Sequence, residues 1–396
     1  MKVKFQDPEF SFQLLRVLGS AASRQADVGE ALAIADRIIE GDFESWFREW
    51  STVAARLEAV ADANRAAGRR VSASDTYLRA GNYYRAAEFY LHGDSHDPRI
   101  AEFSGRSLRC FHAALETGEL AYELSAIPYE GTTLPGVFFS GGSGKRRTLI
   151  VQTGFDGTMS GMLPWALAAT RRGWHCLTFE GPGQGEVIRK QGLPFRPDWE
   201  KVVGPVVDFL AARPEVDARR IALLGSSFGG FLAPRAAAYE PRLVACVANG
   251  GVMDFLGARI PKTMTREQFA HALKQNPDRI NSAMREQAAR SPQARWSQEN
   301  GQYTFHAASP AEWCLKALDY DMTPHAANIR CATLIIDVEN ENSFPGQARP
   351  LYEALTCPKT WLYFSEAEGA GDHCQTGSPG LAQQRIFDWL DETVPA

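Results

Sequence analysis

Ser227 is the residue of this chain best placed to attack a substrate. It is the middle residue of Gly225-Ser226-Ser227-Phe228-Gly229, a G-x-S-x-G pentapeptide that ends the apolar run Ile221-Ala222-Leu223-Leu224 and precedes the helix-forming stretch FLAPRAAAYE. A serine alcohol is a weak nucleophile near neutral pH, so it must sit on a tight strand-to-helix turn where a base reaches its proton. Gly225 and Gly229 are the positions at which side chains would collide with the neighbouring strand or helix. The pentapeptide alone arises by chance in many chains as a plain turn. The order strand, turn, helix is what distinguishes this copy.

A nucleophile on such a turn needs a base, and on this architecture the chain order is Ser, acid, His. Of eight histidines, only His373 follows the last strand-like run, in the polar, glycine-rich loop FSEAEGAGDHCQTGS. The acid is expected from the loop after CATLIIDV, which supplies Asp337, Glu339 and Glu341. Asp337 sits at the strand end, where it could simply bond backbone amides. Glu341 lies farther into the loop and is favoured, with Glu339 and Asp337 left open. Two backbone N–H groups must also face the oxygen that becomes negative. Phe228, directly after the nucleophile, supplies one, and the turn Gly154-Phe155-Asp156-Gly157-Thr158 supplies the other, with Phe155 the preferred donor.

Two textures divide the chain. Residues 1–118 carry apolar residues at helical spacing with Ser/Asp starts and Gly stops, as in FESWFREWSTVAARLEAVADANRAAG, and read as a helical N-terminal region. From 119 to 396, AIPYEG and LPGVFFSG read as a hairpin, followed by TLIVQTG, HCLTFEG, IALLG, LVACVANG, ATLIIDV and KTWLYFSE with helices between. That alternation predicts an α/β fold with a mainly parallel, doubly wound sheet. Residues from about 254 to 319 break the rhythm and read as a mostly helical insertion over the strand ends, where ligands bind in such sheets.

With 44% hydrophobic residues over 396 positions, the chain can bury one large domain and an appendage. Its net charge of -5, with Lys and Arg scattered, argues against a nucleic-acid partner. Acidic and polar residues interrupt the N-terminal apolar run, so no signal peptide or membrane span is expected. Seven dispersed cysteines without C-x-x-C spacing fit reduced thiols in the cytoplasm and no metal centre; no cofactor is called for.

These motifs together resemble one branch of the α/β-hydrolase superfamily, that of the fungal yellowish-green-type heptaketide hydrolases and the bacterial 2,6-dihydroxypseudooxynicotine hydrolase. GFDGT, FEGPGQGE, PFRPDWEKVV, the elbow with APRAAAYEPRL, PGQARPLYEAL and EGAGDHCQTGS carry the resemblance in order across residues 140–390. It implies an α/β-hydrolase fold with the N-terminal helices as a cap, frequent homodimers, and hydrolysis of a carbon–carbon bond beside a ketone. The catalytic positions it implies are Ser227, Glu341 and His373, with glutamate where the family usually carries aspartate. The expected substrate is a small aromatic or polyketide-like molecule. Trp296, Tyr303 and Phe305 from the insertion, with Tyr83, Tyr84, Trp46 and Trp50 from the N-terminal helices, are candidates to line its pocket; ordinary core packing is the competing reading. An esterase, thioesterase or acyltransferase with the same residues, and a non-catalytic binding protein on this fold, are the alternative functions.

Overall fold

The structure, a computed structural model, describes residues 2–396. Five helices come first: α1 (Pro8–Gly19), α2 (Val28–Ala35), α3 (Phe43–Ala66), α4 (Arg70–Glu88) and α5 (Pro98–Thr117). Aspartates start four of them. Asp7, Asp27, Asp42 and Asp97 each accept backbone N–H groups of the first turn, and proline opens α1 and α5, where its missing N–H costs nothing. Among the described residues no helix is long and apolar enough to cross a membrane.

A single eight-stranded sheet follows. Its strands are β1 (Tyr122–Tyr129), β2 (Thr132–Phe139), β3 (Arg146–Gln152), β4 (His175–Phe179), β5 (Val216–Ser226), β6 (Leu243–Asn249), β7 (Ala332–Val338) and β8 (Lys359–Phe364). They lie in the order β1-β2-β4-β3-β5-β6-β7-β8; β2 is antiparallel to β4, and every pair from β4 to β8 is parallel. The interior strands are apolar on both faces because helices cover both: Leu149–Val151 and Ile221–Leu224 are fully buried. The remaining helices are α6 (Leu163–Arg171), α7 (Gly185–Gln191), α8 (Glu200–Ala211), α9 (Gly229–Ala237), α10 (Arg266–Gln275), α11 (Pro277–Ala288), α12 (Pro292–Thr304), α13 (Pro310–Ala317), α14 (Ala348–Ala354) and α15 (Pro379–Thr393). The fold is that of an α/β hydrolase. The central parallel strands place the loops after Gln152, Ser226, Asn249 and Val338 at their carboxyl ends, where open α/β sheets bind ligands.

The chain forms two compact units. One holds the residues before Glu123 together with Arg285–Tyr303; the other holds Glu123–Met284 and Thr304–Ala396. A boundary at 118 drawn from sequence texture misses the second piece of the helical unit, because helical spacing does not reveal which helix packs where. Its attachment is aromatic and polar: Trp296 stacks on Phe89 at 4.9 Å, Tyr303 stacks on His92 at 4.6 Å, and His92 Nδ1 meets Asn300 Oδ1 at 2.8 Å.

The core of the helical unit is a cluster of large rings. Trp46, Trp50, Tyr83 and Tyr84 are fully buried, and the Trp46 indole N–H donates to the Ala86 carbonyl at 2.7 Å. Tyr84 donates to Glu58 at 2.7 Å, and Glu58 also accepts from Arg106. Burial alone would raise the Glu58 carboxyl, but these donors, with Arg109, hold it below its ordinary value. Replacing Trp46 with alanine removes both the ring and this hydrogen bond. Trp46→Ala is expected to cost about 3–5 kcal/mol, read as an earlier urea transition of the helical unit; a cost below about 1 kcal/mol would contradict this packing.

Candidate active site

Ser227 sits at the turn between β5 and α9 with φ +63°, a left-handed conformation that costs a non-glycine residue about 1–3 kcal/mol. Its surroundings hold it there. The Ser227 N–H donates to Asn249 O at 2.9 Å, tying the turn to β6, and its own carbonyl accepts from Gly230 N at 2.7 Å. Gly225 is required because a Cβ there would collide with the Gly229 carbonyl and approach Ala233 Cβ at 2.9 Å. The sharp turn therefore depends on the close approach of β5 to the first turn of α9.

The loops after β7 and β8 bring the other two polar groups. Asn340 N donates to Gly371 O at 2.8 Å, joining the two loops two residues from His373 and one from Glu341. His373 Nε2 lies 2.8 Å from Ser227 Oγ, and its Nδ1 lies 2.7 Å from Glu341 Oε2. The other carboxylate oxygen, Oε1, accepts the N–H groups of Ser343 at 2.8 Å and Phe344 at 3.0 Å. With Nδ1–H assigned as donor to Glu341, Nε2 is left as acceptor for the serine O–H. The other two acids of the loop are engaged elsewhere: Asp337 accepts from Val338 N, and Glu339 from Glu366 N.

Charge and burial act against each other here. Burial alone would raise the Glu341 carboxyl, but His373 and the two loop amides outweigh it and hold Glu341 below its ordinary value. Burial likewise opposes charge on the imidazole. The adjacent Cys374 sulfur and the Glu341 carboxylate outweigh it, so His373 is raised well above its usual value. Cys374 Sγ is 3.5 Å from His373 Nε2 and 3.5 Å from Asn249 O.

The turn after β3 lies directly against the elbow. A Cβ on Gly154 would approach Phe228 N to 2.6 Å and Ser226 O to 2.7 Å, so only glycine lets the two backbone segments meet. The two amides expected to face a developing oxyanion, those of Phe155 and Phe228, belong to these abutting segments. Phe228 is also the N-cap of α9, whose N–H the helix itself does not satisfy. Aromatic side chains surround them: Phe228 contacts Phe255 at 4.3 Å and Phe195 at 5.3 Å, and Phe155 lies 5.6 Å from Phe255 and 6.3 Å from Phe305. Phe344 places its ring 6.0 Å from that of His373.

The pocket-lining residues expected from sequence separate. Phe305 joins the rings around Phe155. Tyr83 and Tyr84 are interior to the helical unit, where Tyr83 O–H meets Asp27 N and Glu30 at 3.0 Å, and burial raises both phenols. Trp296 and Tyr303 also stack within that unit. Sequence reading missed Phe195, Phe255, Phe344 and Tyr320, whose ring lies 5.4 Å from that of Phe228. Phe195 stood in the phrase PFRPDWE, and Phe255 and Tyr320 stand at the start and just past the end of the insertion, so position relative to the strand ends was the available signal. Among the described residues no group of three or more His, Cys, Asp or Glu side chains is arranged to hold a metal ion.

A strained serine turn between a parallel strand and a helix, with a late histidine hydrogen-bonded to it, is the arrangement of an α/β hydrolase. The family model described as "Alpha/beta hydrolase family" matches residues 137–386, and the chain belongs to that family. Its relatives lie in the fungal branch that the sequence resembles. It is 33% identical to the hydrolase acrC of Aspergillus aculeatus, covering 97% of this chain and 96% of that one. It is 32% identical to 20-hydroxy-prefusarin hydrolase FUS2 of Gibberella moniliformis, covering 98% and 97%. The crystal structure of 2,6-dihydroxy-pseudo-oxynicotine hydrolase shares the fold with a TM-score of 0.75 at 21% identity, covering 96% of each chain. The protein is a hydrolase.

In an NMR titration the His373 ring should lose its proton above its ordinary value of 6.5. In Glu341→Gln the loss of the carboxylate should move that titration downward, because burial then acts with less opposition. A ring that titrates at the same pH in both proteins would contradict the pairing.

Proposed function

We propose that the protein is a serine hydrolase that cleaves a carbon–carbon bond beside a ketone in an aromatic or polyketide-like compound. The observation that carries the serine chemistry is the continuous series of hydrogen bonds from Ser227 Oγ through His373 to Glu341. In this reading His373 Nε2 takes the serine proton as Oγ bonds to the carbonyl carbon, and the Phe155 and Phe228 amides stabilise the oxyanion. As the carbonyl re-forms, the adjacent C–C bond breaks. Its electron pair leaves on carbon as an enolate-stabilised carbanion, which takes the proton from His373. Water then gives a proton to His373 and attacks the acyl-serine; the serine oxygen leaves with that proton, and a carboxylic acid is released. Glu341 orients the ring and stabilises its charged form without itself taking the proton.

The choice of carbon as the leaving atom rests on the resemblance to C–C hydrolases, and the naming of FUS2 as a 20-hydroxy-prefusarin hydrolase supports a small-molecule substrate. The rings of Phe155, Phe195, Phe228, Phe255 and Phe305 suit a flat, conjugated ketone. A panel of an aryl β-diketone, an aryl ester and an acyl-thioester tests the reading. Preference for the diketone is expected; preference for either ester type would make the protein an esterase or thioesterase with the same residues.

Ser227→Ala should remove turnover and labelling by a fluorophosphonate while leaving the unfolding midpoint within a degree or two. Turnover retained in this variant would reject the nucleophile. Because His373 acts as base only when neutral and is raised, kcat/KM should climb with pH along a limb centred above 6.5. A limb centred at or below that value would count against His373 as the base.

A further inference from the structure

The segment FEGPGQGE after β4 carries two side chains that the proposed reaction does not use, and both grip the turn that bears Phe155. Gln184 is buried. Its amide nitrogen donates to the carbonyls of both Thr153, at 2.9 Å, and Gly154, at 3.1 Å, while its amide oxygen accepts from Gly181 N at 3.1 Å. Glu180, also buried, accepts from Met159 N at 2.9 Å and from Glu186 N at 2.7 Å. The turn 153–159 is thus held at its start through two carbonyl oxygens and at its end through an amide hydrogen.

A trans peptide is planar, with its C=O and N–H pointing in opposite directions. Fixing the Gly154 oxygen therefore fixes the direction of the Phe155 N–H, since both belong to one peptide unit. Fixing the Thr153 oxygen does the same for the preceding unit, so the plane carrying the Phe155 N–H cannot rotate without breaking the Gln184–Gly154 hydrogen bond, and the unit before it is anchored at the same nitrogen. The other side of the turn is closed by the contact of Gly154 with the Phe228 backbone. Stabilisation of an oxyanion depends on donors fixed before the reaction begins. A rotated 154–155 peptide would present a carbonyl oxygen to the developing negative charge.

We propose that Gln184, assisted by Glu180, is a positioning residue that sets the Phe155 amide in the oxyanion pocket by clamping the carbonyls of Thr153 and Gly154. The inference rests on the serine-hydrolase reading above, since a pocket for an oxyanion has a use only in that chemistry. It adds a specific division of labour: the elbow sets the Phe228 donor, and a loop on a different strand sets the other.

Gln184→Met keeps the length and volume of the side chain and removes the amide. It should lower kcat about 10²-fold, in the range for loss of one oxyanion donor, with KM changed less than about threefold. The affinity for an aryl boronic acid, which forms a tetrahedral serine adduct, should fall by a similar factor. The acid limb of the pH profile, set by His373, should stay in place. A crystal structure of the variant should show the 154–155 peptide rotated. An unrotated peptide with kcat near wild type overturns the proposal, as does a fall in kcat accompanied by an equal shift of the pH limb, which would indicate general collapse of the site. Glu180→Gln, which still offers an amide oxygen to Met159, should lose less than tenfold; an effect larger than that of Gln184→Met would transfer the positioning role to Glu180. Absence of fluorophosphonate labelling at Ser227 in the wild-type protein would remove the serine-hydrolase reading and the oxyanion role together. The peptide orientation in Gln184→Met would then still report whether the clamp exists.

Discussion

The left-handed backbone of Ser227 is the constraint on which the rest of the site depends. A side chain at that φ is strained, and the strain persists only because surrounding contacts over-determine it: Asn249 holds the amide, Gly230 holds the carbonyl, and the bare Cα atoms of Gly225 and Gly154 let a helix and a loop approach. The exposure of the hydroxyl to His373 follows from that geometry. Relaxing the backbone to an ordinary conformation would turn Oγ away from the imidazole. Parallel strands supply the rigidity. β5 is flanked on both sides by strands that are fully paired, so the turn at its end is fixed in space before any side chain is considered.

Three buried glutamates show how one side chain serves different ends according to its partners. Glu58 neutralises arginines inside the helical unit and stays ionised because of them. Glu180 accepts from backbone amides, and burial outweighs them and the nearby Arg189 charge, so its carboxyl is raised. Glu341 divides its two oxygens between a pair of loop amides and an imidazole, which keeps it charged where the proposed chemistry needs a charge. The same principle separates Asp337 and Glu339 from Glu341: each of the former gives an oxygen to a main-chain N–H, whereas Glu341 gives one oxygen to amides and the other to the imidazole.

Much of this was legible in the chain. The apolar runs ended in glycine or acid at the right places, so all eight strands and the elbow could be drawn from composition and punctuation, and the late position of His373 singled it out among eight histidines. The acid was harder, because three carboxylates within five residues differ only in where the loop carries them, and loop paths depend on hydrogen bonds such as Asn340 to Gly371 that spacing does not encode. The assignment of aromatic residues was least readable. Tyr83 and Trp296 have the composition of a pocket wall, yet each spends its ring within the helical unit, and amphipathic spacing is the same for a side chain that meets a ligand and one that meets another helix. Gln184 stood in FEGPGQGE, one of the phrases that carry the resemblance, but nothing in a glutamine's type points to the carbonyls it reaches.

The way Glu341 is held fixes how long the acid at this position must be. Its Oε1 rests on the amides of Ser343 and Phe344 while Oε2 reaches the imidazole, so one carboxylate spans a distance fixed by the loop's own curvature. An aspartate at this position would fall short by a methylene and could keep either its backbone cradle or its imidazole, but not both. Acid length and loop path are therefore coupled in this site: a shorter acid would need the loop to run closer to the histidine.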